Sequence, residues 1–394
     1  MATFEVNALG EVDDRVRLVV DGKDVLIAES YDVTVSVFNQ PARWSITTGS
    51  ASTAAELIKT FAPGRPFELR IGDVLQQTGV LEDRAARSRG GTTLTLTGRD
   101  ALVPLFKDHI SDERSYKSET YVQLAYEMLK AVGLKDATIQ SSNRANRQVR
   151  AGVKIVELLP PREVLQIKTD ATGVSGVSHN SIEAKLNEKR YEFLKRYLQV
   201  AGLFFWAAAD GTFVISEPNG HQQAVASIVR RVGQSRQQTS VIADSWQDNR
   251  SNRYRTYSVY GRGAGRKGGH QKAMGVWIDP EMRDDGFTES KVVRAQNART
   301  AAQAEFIARR MAAEDRRSGW QLRYTVSGHT TVTASGERAV WTPDTVVSVD
   351  DEVLGIKRDL YLSEVTYRRA PETTTDLVFT RPEDLVFGDG DGVM

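Results

Sequence analysis

Apolar and polar residues alternate over short stretches of the first hundred positions, in Val33–Val37, Phe67–Ile71 and Thr93–Thr97, which is the period of strands with one buried face. Asp21-Gly22, between Val16–Val20 and Val25–Ile27, and Gly90-Gly91, ahead of Thr92–Thr97, read as hairpin turns. Thr53-Ala-Ala-Glu56 before Leu57, Ile58 and Phe61 has capping-box spacing and predicts one short helix plugging the sheet. Beyond residue 115 the period lengthens. Leu124, Ala125, Met128, Leu129 and Val132 share a helical face ended by Gly133, and Tyr191, Leu194, Tyr197, Leu198 and Ala201 share another ended by Gly202. Leu203–Ala207 and Thr212–Ser216 flank Asp210-Gly211 as a hairpin. Strands follow at Val225–Val232 and Arg253–Tyr260, then an exposed loop at Gly261–Gly269 and an alanine-rich helix over Asn297–Arg317. Strands return over Trp320–Thr380.

The strongest pattern is long-range. Pro63, Phe67, Leu69, Ile71, Asp73 and Val74, then Leu81-Glu82, Thr92-Thr93-Leu94, Thr97, Arg99 and Leu102, recur as Pro343, Val347, Val349, Asp351, Val353 and Leu354, then Ser363-Glu364, Thr374-Thr375, Leu377, Thr380, Arg381 and Leu385. Matched positions stay about 280 residues apart. The chain is therefore expected to be mainly β with an α+β insertion: two similar β-barrel domains plus a smaller α/β domain. The expected boundaries are a first barrel at 1–108, the α/β domain at 109–220 and a β-rich basic segment at 221–296 that partly joins the second barrel. A helix plus the second barrel occupy 297–387, and 388–394 is a flexible tail.

Composition narrows the function. The 394 residues contain no cysteine, which removes disulfides and thiolate chemistry and suits synthesis in a reducing cytoplasm. No secretory signal is visible at the start, and the longest apolar run, Val200–Ala209, is far below the roughly 18 residues of a membrane span. The net charge of +1 gives no general attraction to nucleic acid, although residues 221–275 hold ten Lys and Arg against Asp244 and Asp248 and read as electropositive.

Tyr31–Val37, Ala62-Pro63-Gly64 with Phe67–Gly72, Thr78–Asp83 and Gly98-Arg99-Asp100 in the first half resemble, in pattern and order, the baseplate hub proteins of contractile-tailed phages. Asn297–Arg310, Trp341, Val346–Val349, Leu362–Tyr367 and Thr373–Phe379 carry the same likeness in the second half. The chain is most similar to the hub of Mu-like phages and the late control protein D group. The resemblance implies tube-type barrels in a hub-like arrangement and a homotrimer whose six barrels join the sixfold tail tube to the threefold central spike. Its expected partners are further copies of itself, a tail tube or tube-initiator protein, the spike, and baseplate wedge and tape measure proteins. DNA would pass only through the lumen. The expected place of work is the virion tail baseplate, after synthesis in the bacterial host cytoplasm.

Catalytic patterns are weak. Gly263-Ala-Gly265-Arg-Lys-Gly268 matches the dinucleotide fingerprint, but no amphipathic helix begins at Gly268, so it reads as a surface loop. Thr172-Gly-Val-Ser175-Gly176 misses the nucleophile elbow by one residue. His109, His179, His221, His270 and His329 lack ligand spacing and read as surface or turn residues. The acid pairs Glu82-Asp83 and Asp284-Asp285, taken as strand neighbours, point to opposite faces and could not flank one glycosidic bond. Arg309-Arg310 and Arg316-Arg317 read as helix surface. No catalytic, cofactor or metal residue is nominated, so a non-enzymatic role is expected. A tail-associated cell-envelope hydrolase and a single-stranded nucleic-acid binder, using Tyr254, Tyr257 and Tyr260, are the alternatives. The candidate assembly residues are Arg84, Arg87 and Arg89 on the first hairpin and Arg368 and Arg369 on its counterpart.

Overall fold

The computed structural model describes residues 15–26, 30–49, 58, 61–88, 92–111, 115–116, 121–134, 139–141, 182–200, 203–218, 220–234, 239–261, 273–295, 298 and 301–385. Gly90-Gly91, the capping-box segment apart from Ile58, Pro160-Pro161, the glycine-rich loop, Thr172–Gly176, His179, His270, Arg89 and the C-terminal tail lie outside them. Among the described residues the first seven strands are β1 (Val16–Val20), β2 (Lys23–Leu26), β3 (Ser30–Ser36), β4 (Arg43–Gly49), β5 (Pro66–Ile71), β6 (Val74–Ser88) and β7 (Thr92–Asp100). They pair in the order β3-β4-β7-β6-β5-β1-β2. Asp21 (φ 51°) and Gly22 (φ 73°) are both left-handed, which the tight β1–β2 turn requires and Asp-Gly supplies. Alternation buries Val16, Leu18 and Val20 of β1 against Phe67, Leu69 and Ile71 of β5.

The helices α1 (Val103–Lys107), α2 (Tyr121–Ala131) and α3 (Arg190–Val200) pack a second core with β11 (Phe204–Ala207) and β12 (Phe213–Ser216), built on Leu105, Leu124, Met128, Phe193, Leu194 and Phe205. Between those helices lie the short strands β8 (Ser115–Tyr116), β9 (Ile139–Ser141) and β10 (Ile182–Glu183); β9 adds parallel to β12 and β8 pairs with β10. Gly133 (φ 88°) and Gly211 (φ 82°) end α2 and turn β11 into β12, as their positions imply.

Two strands, β13 (Ala226–Arg230) and β14 (Val241–Asp248), lead into a third layer. There β15 (Thr256–Gly261), β16 (Met274–Ile278), α4 (Pro280–Asp284) and β17 (Ser290–Ala295) precede α5 (Ala301–Gly319). The helix covers Tyr257 and Val259 with Ala304, Ile307, Ala308 and Ala312. A side chain at Gly275 would meet the α5 backbone at Glu305 within 1.9 Å, so only glycine lets β16 and α5 approach this closely. The last strands are β18 (Trp320–Ser327), the hairpin β19 (Thr330–Val332) and β20 (Arg338–Val340), then β21 (Thr345–Asp351), β22 (Ile356–Arg369) and β23 (Thr373–Thr380).

The second half repeats the first. Its strands pair as β14-β18-β23-β22-β21-β13, the order of β3-β4-β7-β6-β5-β1. Both central pairs carry a bulge at one place: the register slips between Leu81 and Asp83 in β6, and between Leu362 and Glu364 in β22. Leu81 faces Gly98 and Leu362 faces Phe379, each 281 positions from its counterpart. Gly64 (φ 87°) and Asp344 (φ 63°) enter the two units in left-handed conformation, donating their N–H groups to Leu81 and Leu362. Sequence matching set Leu81-Glu82 against Ser363-Glu364 and Leu94 against Leu377. The strand registers correct those pairings by one and two positions: the offset is 281 at both strands and across the hairpin between them, whereas matching by residue type lets it drift. The units also differ in one strand, since β1 runs antiparallel to β5 whereas β13 runs parallel to β21.

The units are fused edge to edge. β21 pairs with β22 only along Ile356–Leu362, and from Glu364 to Arg369 the same edge is taken by β3 of the first unit, with Val35 opposite Val365 and Val33 opposite Tyr367. All these strands form one 13-stranded sheet, and among the described residues no hydrogen-bonded pair closes either unit separately. The fusion buries polar groups. The fully buried imidazole of His329 lies 2.7 Å from the Tyr31 hydroxyl through Nε2 and 2.8 Å from Thr375 Oγ1 through Nδ1, while Tyr367 donates to Gln76 Oε1 at 3.0 Å. Thr375 donates its own hydrogen to the Gly328 carbonyl at 2.7 Å, so it accepts from His329 Nδ1, leaving Nε2 to accept from Tyr31. The expectation of a surface or turn residue holds for His329 only in its position, at the bend between β18 and β19. Its ring is a buried, neutral bridge between units, and burial pushes its pKa from 6.5 down to about 4.

Because the unfolded histidine binds a proton below about pH 6.5 and the folded one does not until about pH 4, its contribution is complete above pH 6.5 and is lost as pH falls through that window. Urea titrations of the native chain and His329→Gln should therefore converge by about 3 kcal/mol between pH 7 and pH 4; parallel curves would contradict a neutral, buried imidazole. At Gly79 a Cβ would lie 2.0 Å from the Arg99 carbonyl oxygen across the β6–β7 pair. Gly79→Ala should lower stability by about 1–3 kcal/mol, read as a shifted urea midpoint at unchanged slope.

Candidate assembly surfaces

Arg84 and Arg87 lie on the outer half of β6, and Arg368 and Arg369 end β22. By the bulge register Arg87 and Arg368 are counterparts, but their surroundings differ. Arg368 Nε bonds Asp32 Oδ2 on β3 at 2.9 Å, and its Nη1 bonds Asp376 on β23, so it ties three strands together. Burial lowers its pKa, and the bonds it donates to Asp32 and Asp376 together with their negative charges more than offset this, leaving a net rise. Arg87 is exposed, Arg84 reaches the Ile58 carbonyl, and Arg369 stands half-buried opposite Tyr31. The two tips thus carry matching charge in unlike settings: one tip is covered by a neighbouring strand, whereas among the described residues no strand pairs along the other.

The segment 221–275 is not electropositive where it is described. Arg230 pairs with Asp244 at 2.8 Å and with Asp351, Arg231 grips Asp350 through two bonds of 2.8 Å, and Arg250 meets Asp285. The count along the sequence missed these acids because three of them come from elements far along the chain. Tyr257 is fully buried beneath α5 and accepts the Tyr254 N–H at 3.1 Å, so the three tyrosines form no stacking platform.

The arginines of α5 correct the helix-surface expectation. Arg316 Nε bonds Asp384 at 2.9 Å, and Arg381 bonds both Asp384 and Glu281. Arg253, itself buried, bonds Asp279 at 3.0 Å and Glu281 at 2.8 Å. This alternating cluster of three arginines and three carboxylates locks α4, α5 and the turn at 382–384 together. Burial alone would raise Glu281, but the bonds and charges of Arg253 and Arg381 hold it below its ordinary value. Arg317 lies 3.8 Å over the Phe38 ring, which packs edge-on against Phe204 at 5.0 Å, joining the first unit, the inserted layer and α5.

Neither acid pair forms a catalytic dyad. Glu82 is the bulge residue and is held by Arg99 at 2.7 Å and Lys107 at 2.5 Å. Asp284 and Asp285 end α4, a helix rather than the expected strand, and pair with Arg283 and Arg250. Among the described residues no group of three His, Asp or Glu could hold a metal ion, and no helix is long and apolar enough to cross a membrane.

No family model matches the sequence, and no curated protein matches it. Solved structures do. A tail protein from Neisseria meningitidis MC58 superposes with a TM-score of 0.73 at 20% identity, covering 94% of this chain and 98% of that one. The 43 kDa tail protein of prophage MuSo2 from Shewanella oneidensis gives 0.72 at 16% identity, covering 94% and 99%. Prophage tail protein gp18 from Listeria monocytogenes EGD-e gives 0.53 at 9% identity, covering 92% and 94%. Along nearly its whole length, this chain has the fold of phage tail proteins.

Proposed function

We propose that the chain is a structural, non-enzymatic hub subunit of a contractile phage tail baseplate. Three copies form a ring that joins the sixfold tail tube to the threefold central spike. The observation that carries the reading is the double occurrence of one strand order, with bulges and left-handed entries at matching places. Two like units per chain let a threefold assembly present six similar surfaces to a sixfold tube while keeping threefold symmetry towards the spike. The tail proteins whose fold the chain shares support a place in the virion tail. Tube or tube-initiator, spike, wedge and tape measure proteins are then its neighbours, and DNA passes through the lumen without being bound.

Light scattering of the purified chain should give three chain masses; a stable monomer or dimer over the whole accessible concentration range would contradict the reading. At the tube interface, exposed ion pairs each contribute about 0–1 kcal/mol, but sixfold repetition compounds them. The double variant Arg87→Glu, Arg369→Glu should keep the three-chain mass and lose attachment to tube protein in a pull-down. Unchanged attachment would remove these arginines from the interface.

A further inference from the structure

Helix α5 buries two stripes. One, with Ala304, Ile307, Ala308 and Ala312, covers β15. The other runs through Phe306, Arg310, Ala313 and Arg317, whose spacings of four, three and four keep them on a single face. That face turns towards Phe38 of the first unit and towards α3 and Phe204 of the inserted layer. Phe306 and Ala313 are buried, so two guanidinium groups stand in an otherwise apolar stripe.

Arg253, Arg316, Arg368 and Arg381 each meet a carboxylate at close range, but these two are poorly served. Arg310 reaches only Glu314, through one Nη1 bond of 3.4 Å to a carboxylate that is 48% exposed, and its buried Nε has no acceptor among the described residues. Arg317 lies 3.8 Å over the Phe38 ring and 5.7 Å from the Phe204 ring, and among the described residues no carboxylate or carbonyl accepts from it. Stacking covers the face of a guanidinium and leaves its in-plane N–H groups unmet. Burial pulls both arginines below their ordinary value by more than the charge of Glu314 restores, whereas carboxylates hold Arg253, Arg368 and Arg381 above theirs. The positive charge of Arg310 lowers Arg317 further. Of the other groups near Arg317, Asp384 is already bonded by Arg316 and Arg381, and the Tyr361 hydroxyl donates to Asp344.

The helix brings the two heads together. Seven residues span just under two turns, about 10.5 Å along the axis. Helical side chains lean towards the N-terminus, which carries Arg317 back towards Arg310, while Arg310 bends forward to Glu314 between them. We infer that Arg310 and Arg317 together bind a small oxyanion of the phosphate or sulfate class where α5, the inserted layer and the first unit meet. One half-exposed carboxylate faces two cations there, so the site carries an excess positive charge that a bound anion offsets. Arginine forks take an oxyanion through parallel N–H bonds, a geometry that spherical chloride does not offer. Arg310 is 21% exposed and aromatic rings cover Arg317, which admits an ion to the N–H edges but offers no surface for a strand or helix. Occupancy would stabilise the relative placement of the three layers by mass action. The site is independent of the hub reading.

Full-length protein dialysed to equilibrium against radiolabelled inorganic phosphate in about 0.1 M chloride should bind one phosphate per chain, half-saturating at roughly millimolar concentration. The double variant Arg310→Met, Arg317→Met should lose about tenfold or more in affinity. Arg309→Met, which removes a guanidinium lying over Trp277 on another face of α5, should bind as the native chain does. Arg317→Lys keeps the charge without the fork and should bind several-fold more weakly, which carries the comparison should the double variant fail to fold. No saturable phosphate on the native chain would overturn the site. Affinity unchanged in both the double variant and Arg317→Lys, or lost equally in Arg309→Met, would overturn it as well.

Discussion

A β-strand edge is a row of backbone donors and acceptors that must be covered by another strand, by water or by another chain. The rest of this structure depends on how one such edge is shared. β22 is fourteen residues long, twice the length of β21, so its uncovered half must take a second partner, and β3 is that partner. The bulge at Ser363 sits at the handover, where β21 ends and β3 begins. Because the partner belongs to the other half of the molecule, two units that resemble each other become one sheet with one continuous core running from Val16 to Phe379.

That fusion explains where buried polar groups are placed. The hydroxyls of Tyr31 and Tyr367, the His329 ring and the Gln76 amide meet where the units join, and each bond between them connects residues distant in sequence. An unsatisfied member would leave a buried donor or acceptor at a cost of about 1–3 kcal/mol, so the cluster favours one relative placement of the two units over slipped ones. The ionic cluster around Asp279, Glu281 and Asp384 does the same for the layer of α4 and α5. Such clusters specify geometry more than they add stability, because desolvating each ion offsets much of the attraction.

Local features were legible in the sequence. The Asp21-Gly22 turn, the Gly133 cap, the Asp210-Gly211 turn and the amphipathic faces of α2, α3 and α5 rest on neighbouring residues, whose backbone and packing preferences act at short range. The repeat was legible because β5 and β21 follow Pro63 and Pro343 with the same alternation. Alternation identifies a buried face but not the neighbour along the strand's edge, so the β3–β22 contact had no signal in it. The burial of the His329 ring had no local signal, because its partners Tyr31 and Thr375 lie on other elements. The basic segment was misjudged for the same reason, since Asp350, Asp351 and Asp285 reach it only through the fold. Of the nominated arginines, Arg368 is tied down within the chain, whereas Arg87, its counterpart, is exposed.

The central claim is that one chain carries two equivalent units which, in three copies, present six to the tail tube. Averaged end-on electron-microscope images of the purified full-length protein test it most directly. The account predicts a ring of six similar lobes whose rotational symmetry is threefold, with alternate lobes distinguishable. Separate compact particles, or a ring with any other number of lobes, would contradict it.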